Sequence, residues 1–291
     1  ETLRILHLCI KYFMMESILQ EDECEGDVLM KKKTLVWLVL ALFTVALGIA
    51  GCGGEKKADN AGKKVVRVGA EMTFPPFEFQ DEKSKDYVGF DMDLARALAK
   101  EMGMELEIQS MGFDALIPAL DSGTIDMIAS GVSITPERQQ KVAFSAPYYK
   151  SGLSILVKNE NTTIKNFKDL EGKKIAVQIG TTSAEEARKI PGAVVREFNG
   201  VPETFMELKA GGVDAVVNDL PVNQYYLGQF EKKGDAFAKL ATTELKNAED
   251  YGIAVAKKNT ELAGKVNKAL ETLKANGEYD KLYQKWFGKK Q

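Results

Sequence analysis

Thirteen residues, Asp126 to Arg138 (DMIASGVSITPER), gather the groups needed to hold a carboxylate. Ile125 to Ala129 is a short apolar run of the kind that forms a buried strand, so Ser130, Gly131 and Ser133 fall where that strand would leave its sheet. Thr135 and Pro136 have the types of a helix N-cap and first helical position, which places Arg138 one turn inside a helix. Unpaired backbone donors, two small hydroxyls and a guanidinium therefore converge. Helix N-termini attract anions, and Arg can grip both oxygens of a carboxylate at once. Taken alone, the stretch also fits an ordinary strand-to-helix turn with a surface Arg.

Other chemistry is excluded by what the folded part lacks. Met30, Lys31 to Lys33, the apolar run Leu35 to Ala50 and the ending Ile49-Ala50-Gly51-Cys52 read as a secretory signal peptide with a lipobox-like cleavage site, so residues 30–51 are expected to be removed and Cys52 to carry lipid. The apolar run is shorter than the roughly 20 residues of a comfortable span. Residues 1–29 have no sustained periodicity and are expected to be a non-native extension upstream of a start at Met30. His7, Cys9 and Cys24 all precede Met30, which leaves no histidine and no free cysteine after cleavage. That removes Ser-His-Asp and Cys nucleophile chemistry, internal disulfides and His or Cys metal sites. Setting aside the five bases and seven acids up to Lys33 leaves a net charge of about −1, which argues against nucleic acid as a partner.

Residues 52–64 are small, polar and charged and read as a tether. Beyond them strand and helix patterns alternate: strand at Val65 to Ala70, a proline-braced loop from Glu71 to Phe77, helix at Asp91 to Met102, strand at Leu106 to Gln109, helix at Phe113 to Leu120 and strand at Ile125 to Ala129. After Tyr148 to Gly152 the pattern restarts, with strands at Lys174 to Gln178, Ala193 to Phe198 and Val213 to Val217 and helices at Ser183 to Ile190 and Pro202 to Ala210. This alternation predicts an α/β fold with parallel sheets. Ala119 to Asp126 (ALDSGTID) and Glu207 to Asp214 (ELKAGGVD) share one pattern of helix end, Gly cap and apolar-Asp strand start. Continuing that register sets Ser130-Gly131 opposite Asn218-Asp219. Ligands of open α/β sheets sit beyond the strands' carboxyl ends, so two lobes would present Arg138 and Asp219 to one cleft, an arrangement suited to a zwitterion. An Asp after a strand is also common in plain loops. The tail, a strand at Tyr251 to Ala256 and helices at Glu261 to Ala275 and Tyr279 to Phe287, is expected to return to the first lobe, with Tyr148 to Gly152 and Asn247 to Tyr251 as two hinge strands. Lobe 1 is then 65–149 plus 250–288 and lobe 2 is 150–249.

The segments GAEMTFPPFEF, YVGFDMDLARALAKEMG, GFDALIPAL, GVSITPERQQKVAFSAPYY, VDAVVNDLP and NGEYDKLYQKWFG, in this order, resemble the polar amino-acid-binding proteins of ABC importers, the extracellular solute-binding protein family 3. The resemblance implies a two-lobed periplasmic-binding-protein-like fold (type II) with its ligand cleft between the lobes. It implies that Arg138, helped by Ser133 and Thr182, holds the α-carboxylate of a free amino acid. Asp219 and a carbonyl of Ser130 or Gly131 would take the α-ammonium, Phe74 and Phe113 would sandwich the stem, and Glu71 and Gln178 would read the side chain. Plainer roles are open for several: core for Phe113, a helix cap for Thr182, a solvated acid for Glu71. A buried Glu71 carboxylate beside a neutral Gln178 favours a basic ligand, arginine or lysine, over glutamine. The resemblance further implies a monomeric receptor, lipid-anchored outside the cytoplasm, that serves a permease and its ATPase, with no catalytic residue, metal or cofactor. A periplasmic cyclohexadienyl or arogenate dehydratase is the competing class, and it would need a placed acid besides Glu71 and Asp219.

Overall fold

The computed structural model describes residues 64–242 and 245–288. The leader, Cys52 and nearly all of the tether lie outside these residues. Two mixed sheets, each flanked by helices, make the two lobes. The first has the order β5-β1-β6-β14-β7, built from β1 (Val65–Ala70), β5 (Glu105–Ser110), β6 (Met127–Ile128), β7 (Val142–Phe144) and β14 (Ala254–Ala256). The second runs β10-β9-β11-β8-β12, from β8 (Tyr149–Lys158), β9 (Lys174–Gln178), β10 (Val194–Phe198), β11 (Ala215–Asp219) and β12 (Ala238–Leu240), with β13 (Lys246–Tyr251) also paired to β8. A small antiparallel sheet, β2 (Thr73–Phe74), β3 (Glu78–Gln80) and β4 (Tyr87–Val88), occupies the stretch expected to start as a loop.

Parallel pairing holds where strand and helix alternate: β1 with β5 and β6, and β9 with β10 and β11. It fails where the chain changes lobes. β14 runs antiparallel to β6 and β7, and β8 runs antiparallel to β11, β12 and β13. A strand that arrives from the other lobe has no crossover helix to set its direction, so the expectation of parallel sheets is corrected at these places. The continuous strand expected at Tyr251 to Ala256 is likewise broken. Tyr251 ends β13, and after Gly252-Ile253 the chain enters the first sheet as β14.

The internal repeat is reproduced bond for bond. Helices α2 (Phe113–Ser122) and α5 (Val201–Ala210) both end on a left-handed glycine, Gly123 (φ 78°) and Gly211 (φ 83°). Three residues on, the carboxylates of Asp126 and Asp214 each accept a backbone N–H at 2.8 Å, from Arg67 and from Lys174. The backbone N–H groups of the same two aspartates return 2.8 Å bonds to the carbonyls of Arg67 and Lys174. Each Asp thus fixes the entry of one central strand against its neighbour.

Helix α1 (Phe90–Glu101) buries Phe90, Leu94 and Leu98 on the first sheet at the spacing of a single helical face. Helix α6 (Leu220–Lys232) follows β11, and the closing helices α7 (Thr260–Ala275) and α8 (Glu278–Phe287) pack on α1. Trp286 Nε1 donates to Asp93 at 2.8 Å, and the Phe287 ring lies 5.2 Å from Phe90. Beneath the crossing strands β8 and β13, Phe77 meets Tyr149 and Tyr251 edge-on at 4.8 and 5.2 Å. Rigid aromatic packing therefore sets where the two lobes join.

Candidate functional site

Arg138 is buried although it carries a full charge. It lies on α3 (Pro136–Lys141), whose start is fixed by the Thr135 hydroxyl accepting from the Arg138 N–H at 3.2 Å. Its guanidinium donates to the carbonyl of Ser133 at 3.1 Å and, across the cleft, to that of Gly180 at 3.1 Å. It also stands 5.4 Å from the centroid of the Phe113 ring, so Phe113 is part of the site as well as of the core. Five N–H donors are available on a guanidinium, and two carbonyl bonds leave room for a carboxylate. Burial pulls the Arg138 pKa down while Glu185, Glu249 and Asp219 oppose that shift. Helix α3 has six residues, and α4 (Thr182–Arg188) has seven. Their dipoles are correspondingly small, so the guanidinium supplies most of the attraction for an anion.

Asp219 closes β11 on the facing side. One of its oxygens accepts from Ser151 Oγ at 2.8 Å and from the Tyr251 hydroxyl at 2.6 Å. Burial raises its pKa to about 6, and the charge of Glu249 adds to the rise. Both donors come from β8 and β13, so the hinge strands themselves orient this carboxylate.

Glu71 follows β1 and is buried. Its carboxylate accepts from Thr73 Oγ1 at 2.9 Å and from the Thr73 N–H at 3.2 Å, and the Gln178 side chain also bonds to it. Burial nonetheless raises its pKa. Gln178 in turn donates to the Asn199 carbonyl at 3.0 Å. Thr73 accepts from the Val201 N–H at 3.1 Å through its hydroxyl and from the Tyr226 hydroxyl at 3.1 Å through its carbonyl, so this corner too is shared between lobes. The Ser130 hydroxyl accepts from the Glu71 N–H at 3.0 Å and donates to Glu78 at 2.8 Å. With that hydroxyl engaged on both sides, the backbone of Ser130 is what remains for a ligand. Gly131 has φ +54°, and a Cβ there would stand 2.9 Å from the Phe74 ring, so a bare glycine lets the chain pass this aromatic wall.

A nearly shut cleft, with only about 10 Å³ of free space, is lined by Glu71, Phe74, Phe113, Ser130, Gly131, Ser133, Arg138, Gln178, Thr182 and Asp219, together with Glu78 and Thr181. All ten residues singled out from the sequence are therefore brought to one place. Three further groups belong to the neighbourhood. Glu78 is fully buried, one of its oxygens has no hydrogen-bond partner, and burial followed by the charge of Asp91 pushes its pKa well up. Asp91 accepts from the Gly131 N–H at 2.8 Å and the Tyr148 hydroxyl at 2.5 Å, and burial raises it to about 6. Glu249 accepts from the Ser133 and Thr182 hydroxyls. Glu78 had one signal in the sequence, an acid between two aromatics in the segment PFEF. The usual exposure of Glu points the other way.

The charges do not balance. Among the described residues none of Glu71, Glu78, Asp91 and Asp219 has an ion-pair partner, and Arg138 is the one buried base. A buried carboxylate without a cation is costly, and burial raises the pKa of all four, so each is readily neutralised by a proton or by a bound cation.

Residues 66–289 match the model for bacterial extracellular solute-binding proteins, family 3, so the chain belongs to that family and works outside the cytoplasm. It is 36% identical over 261 residues to the arginine-binding extracellular protein ArtP of Bacillus subtilis, covering 88% of this chain and 98% of ArtP. Among solved structures it is similar to an ancestral arginine-binding protein bound to arginine, at 48% identity and a TM-score of 0.74, covering 78% of this chain and 99% of that one. An ancestral arginine-binding protein bound to glutamine matches at 46% identity and a TM-score of 0.72, covering 78% of this chain and all of that one (100%).

Proposed function

We propose that this protein is the substrate-binding component of an amino-acid ABC importer and that its ligand is a basic amino acid, arginine or lysine. The observation that carries the proposal is the charge pattern of the cleft: one buried guanidinium at one end and unpaired carboxylates at the other and along the floor. Arg138 takes the α-carboxylate, with Ser133 and Thr182 beside it. Asp219 and a Ser130 or Gly131 carbonyl take the α-ammonium. Phe74 and Phe113 flank the stem, and the side-chain cation ends against Glu71, with Gln178 completing that wall. The ligand touches both lobes, 65–149 with 250–288 and 150–249, and so favours their closure, the form a permease and its ATPase would recognise. Lipid on Cys52 would hold the monomeric receptor at the outer face of the membrane or in the periplasm.

Glutamine is the second reading. It is favoured by the neutral donors around Glu71, Thr73 and Gln178, which match a side-chain amide. A dehydratase role would have to use Glu78, whose unpartnered oxygen belongs to the cleft lining, because Glu71 and Asp219 both have binding partners. Calorimetric titration of refolded protein with each common amino acid tests the proposal. Arginine or lysine binding at least tenfold tighter than glutamine is expected. Tighter glutamine would remove the basic ligand, and the absence of any binding by folded protein would remove the receptor.

A further inference from the structure

We propose that Glu249 is a positioning residue that fastens lobe 2 to lobe 1 through the Thr182 and Ser133 hydroxyls and thereby sets how readily the cleft shuts. The inference rests on the receptor reading above and concerns a residue to which that reading gives no part.

Side chains on β13 alternate, so Glu249 and Tyr251 share one face. Tyr251 on that face holds Asp219 at 2.6 Å. Glu249 does the corresponding work at the other end of the clamp. A single one of its oxygens, Oε2, accepts from Thr182 Oγ1 of α4 at 2.8 Å and from Ser133 Oγ in the first lobe. The carboxylate is thus bonded to both lobes from the hinge strand between them. It stands beside the other bridge, the bond from Arg138 to the Gly180 carbonyl at 3.1 Å, and its charge acts on Arg138 and Asp219 alike.

Two consequences follow from elementary chemistry. Each hydroxyl has one proton, and both protons are committed to Glu249, so Ser133 and Thr182 present lone pairs to the cleft. The carboxylate of a ligand is then left to Arg138 and to backbone N–H groups. Hydrogen bonds to an ionised acceptor are also stronger than neutral ones, and the pair of them joins Ser133 of lobe 1 to Thr182 of lobe 2 only while the lobes are together. An interaction made only in the shut form raises its population, and a ligand that binds the shut form gains affinity by the same factor.

The test uses the full chain, refolded to remove carried-over ligand, as wild type, Glu249→Ala, Glu249→Gln, Thr182→Val and the Glu249→Ala/Thr182→Val double variant. Titration with arginine is expected to be about tenfold weaker for Glu249→Ala. Glu249→Gln keeps an acceptor for both protons and should lose only a few-fold. The double variant should bind no more weakly than Glu249→Ala alone, because the two residues act through one bond. Unchanged or tighter binding by Glu249→Ala would overturn the proposal, the latter by making Glu249 a competitor for the hydroxyl protons. Multiplying effects of the two single changes would overturn it as well. Hydrogen exchange without ligand separates this inference from the receptor reading. Faster exchange at residues 180–184 and 132–134 in Glu249→Ala is expected whether or not an amino acid binds, and wild-type rates there would overturn the role of Glu249 alone.

Discussion

Lowering the pH from 7.5 to 5 should weaken arginine binding about tenfold, because Asp219 must be ionised to receive the α-ammonium. Asp219 is raised to about 6, by burial first and by the neighbouring charge of Glu249 second, while Tyr251 and Ser151 oppose the rise. The sign follows from linkage. A raised carboxyl keeps its proton below pH 6 in the unliganded cleft, a bound ammonium favours the anion, and binding below pH 6 must therefore expel a proton. At pH 7.5 nearly every Asp219 is ionised, whereas at pH 5 about one in ten is, which costs about 1.4 kcal/mol. An Asp at its ordinary value would change affinity by under about a tenth over the same range. The charges of free arginine do not change in this window, so the effect belongs to the protein. Glu71, raised by burial, adds a fall in the same direction for a cationic side chain and little for glutamine. The assay is calorimetry at several pH values, in buffers of differing ionisation enthalpy to count the protons released. A flat affinity from pH 5 to 7.5, or an unaltered pH profile in Asp219→Asn, would refute the reasoning.

Arg138→Lys should weaken arginine binding by two orders of magnitude or more, about 3 kcal/mol, because an ammonium cannot serve Ser133, Gly180 and a carboxylate in one plane; titration reads it directly. Glu71→Gln should cost arginine and lysine about tenfold more than it costs glutamine, measured as the ratio of dissociation constants. Asp91, raised to about 6 by burial, contributes stability that is present below pH 4 and lost as the pH rises through 6. Asp91→Asn keeps an acceptor for Gly131 and Tyr148, so its stability relative to wild type should improve by up to about 3 kcal/mol between pH 4 and 7.5 in urea titrations.

The parts of the fold legible in the sequence were those governed by local rules. The Gly-capped helix followed by an apolar-Asp strand start identified both halves, and its two aspartates make the same bonds in each lobe. Thr135 and Pro136 marked the turn that aims Arg138 because capping acts within four residues. Long-range relations were not legible. The direction of β14 depends on a chain returning from the other lobe, and the break after Tyr251 depends on the aromatic joint beneath the hinge. The resemblance to a family located ten cleft residues, while Glu78 and Glu249 escaped. Burial of an unpaired acid runs against its usual exposure, and Glu249 gains its role only when Ser133 and Thr182, distant in sequence, meet at the hinge.

The central claim is a zwitterion clamp with a basic side chain on an acidic floor. A crystal structure of the refolded protein grown with arginine tests it most directly. The α-carboxylate is expected against Arg138, the α-ammonium against Asp219 and the guanidinium against Glu71. An arginine bound in the reverse sense, with its guanidinium at Asp219, or one lodged outside the cleft, would contradict it.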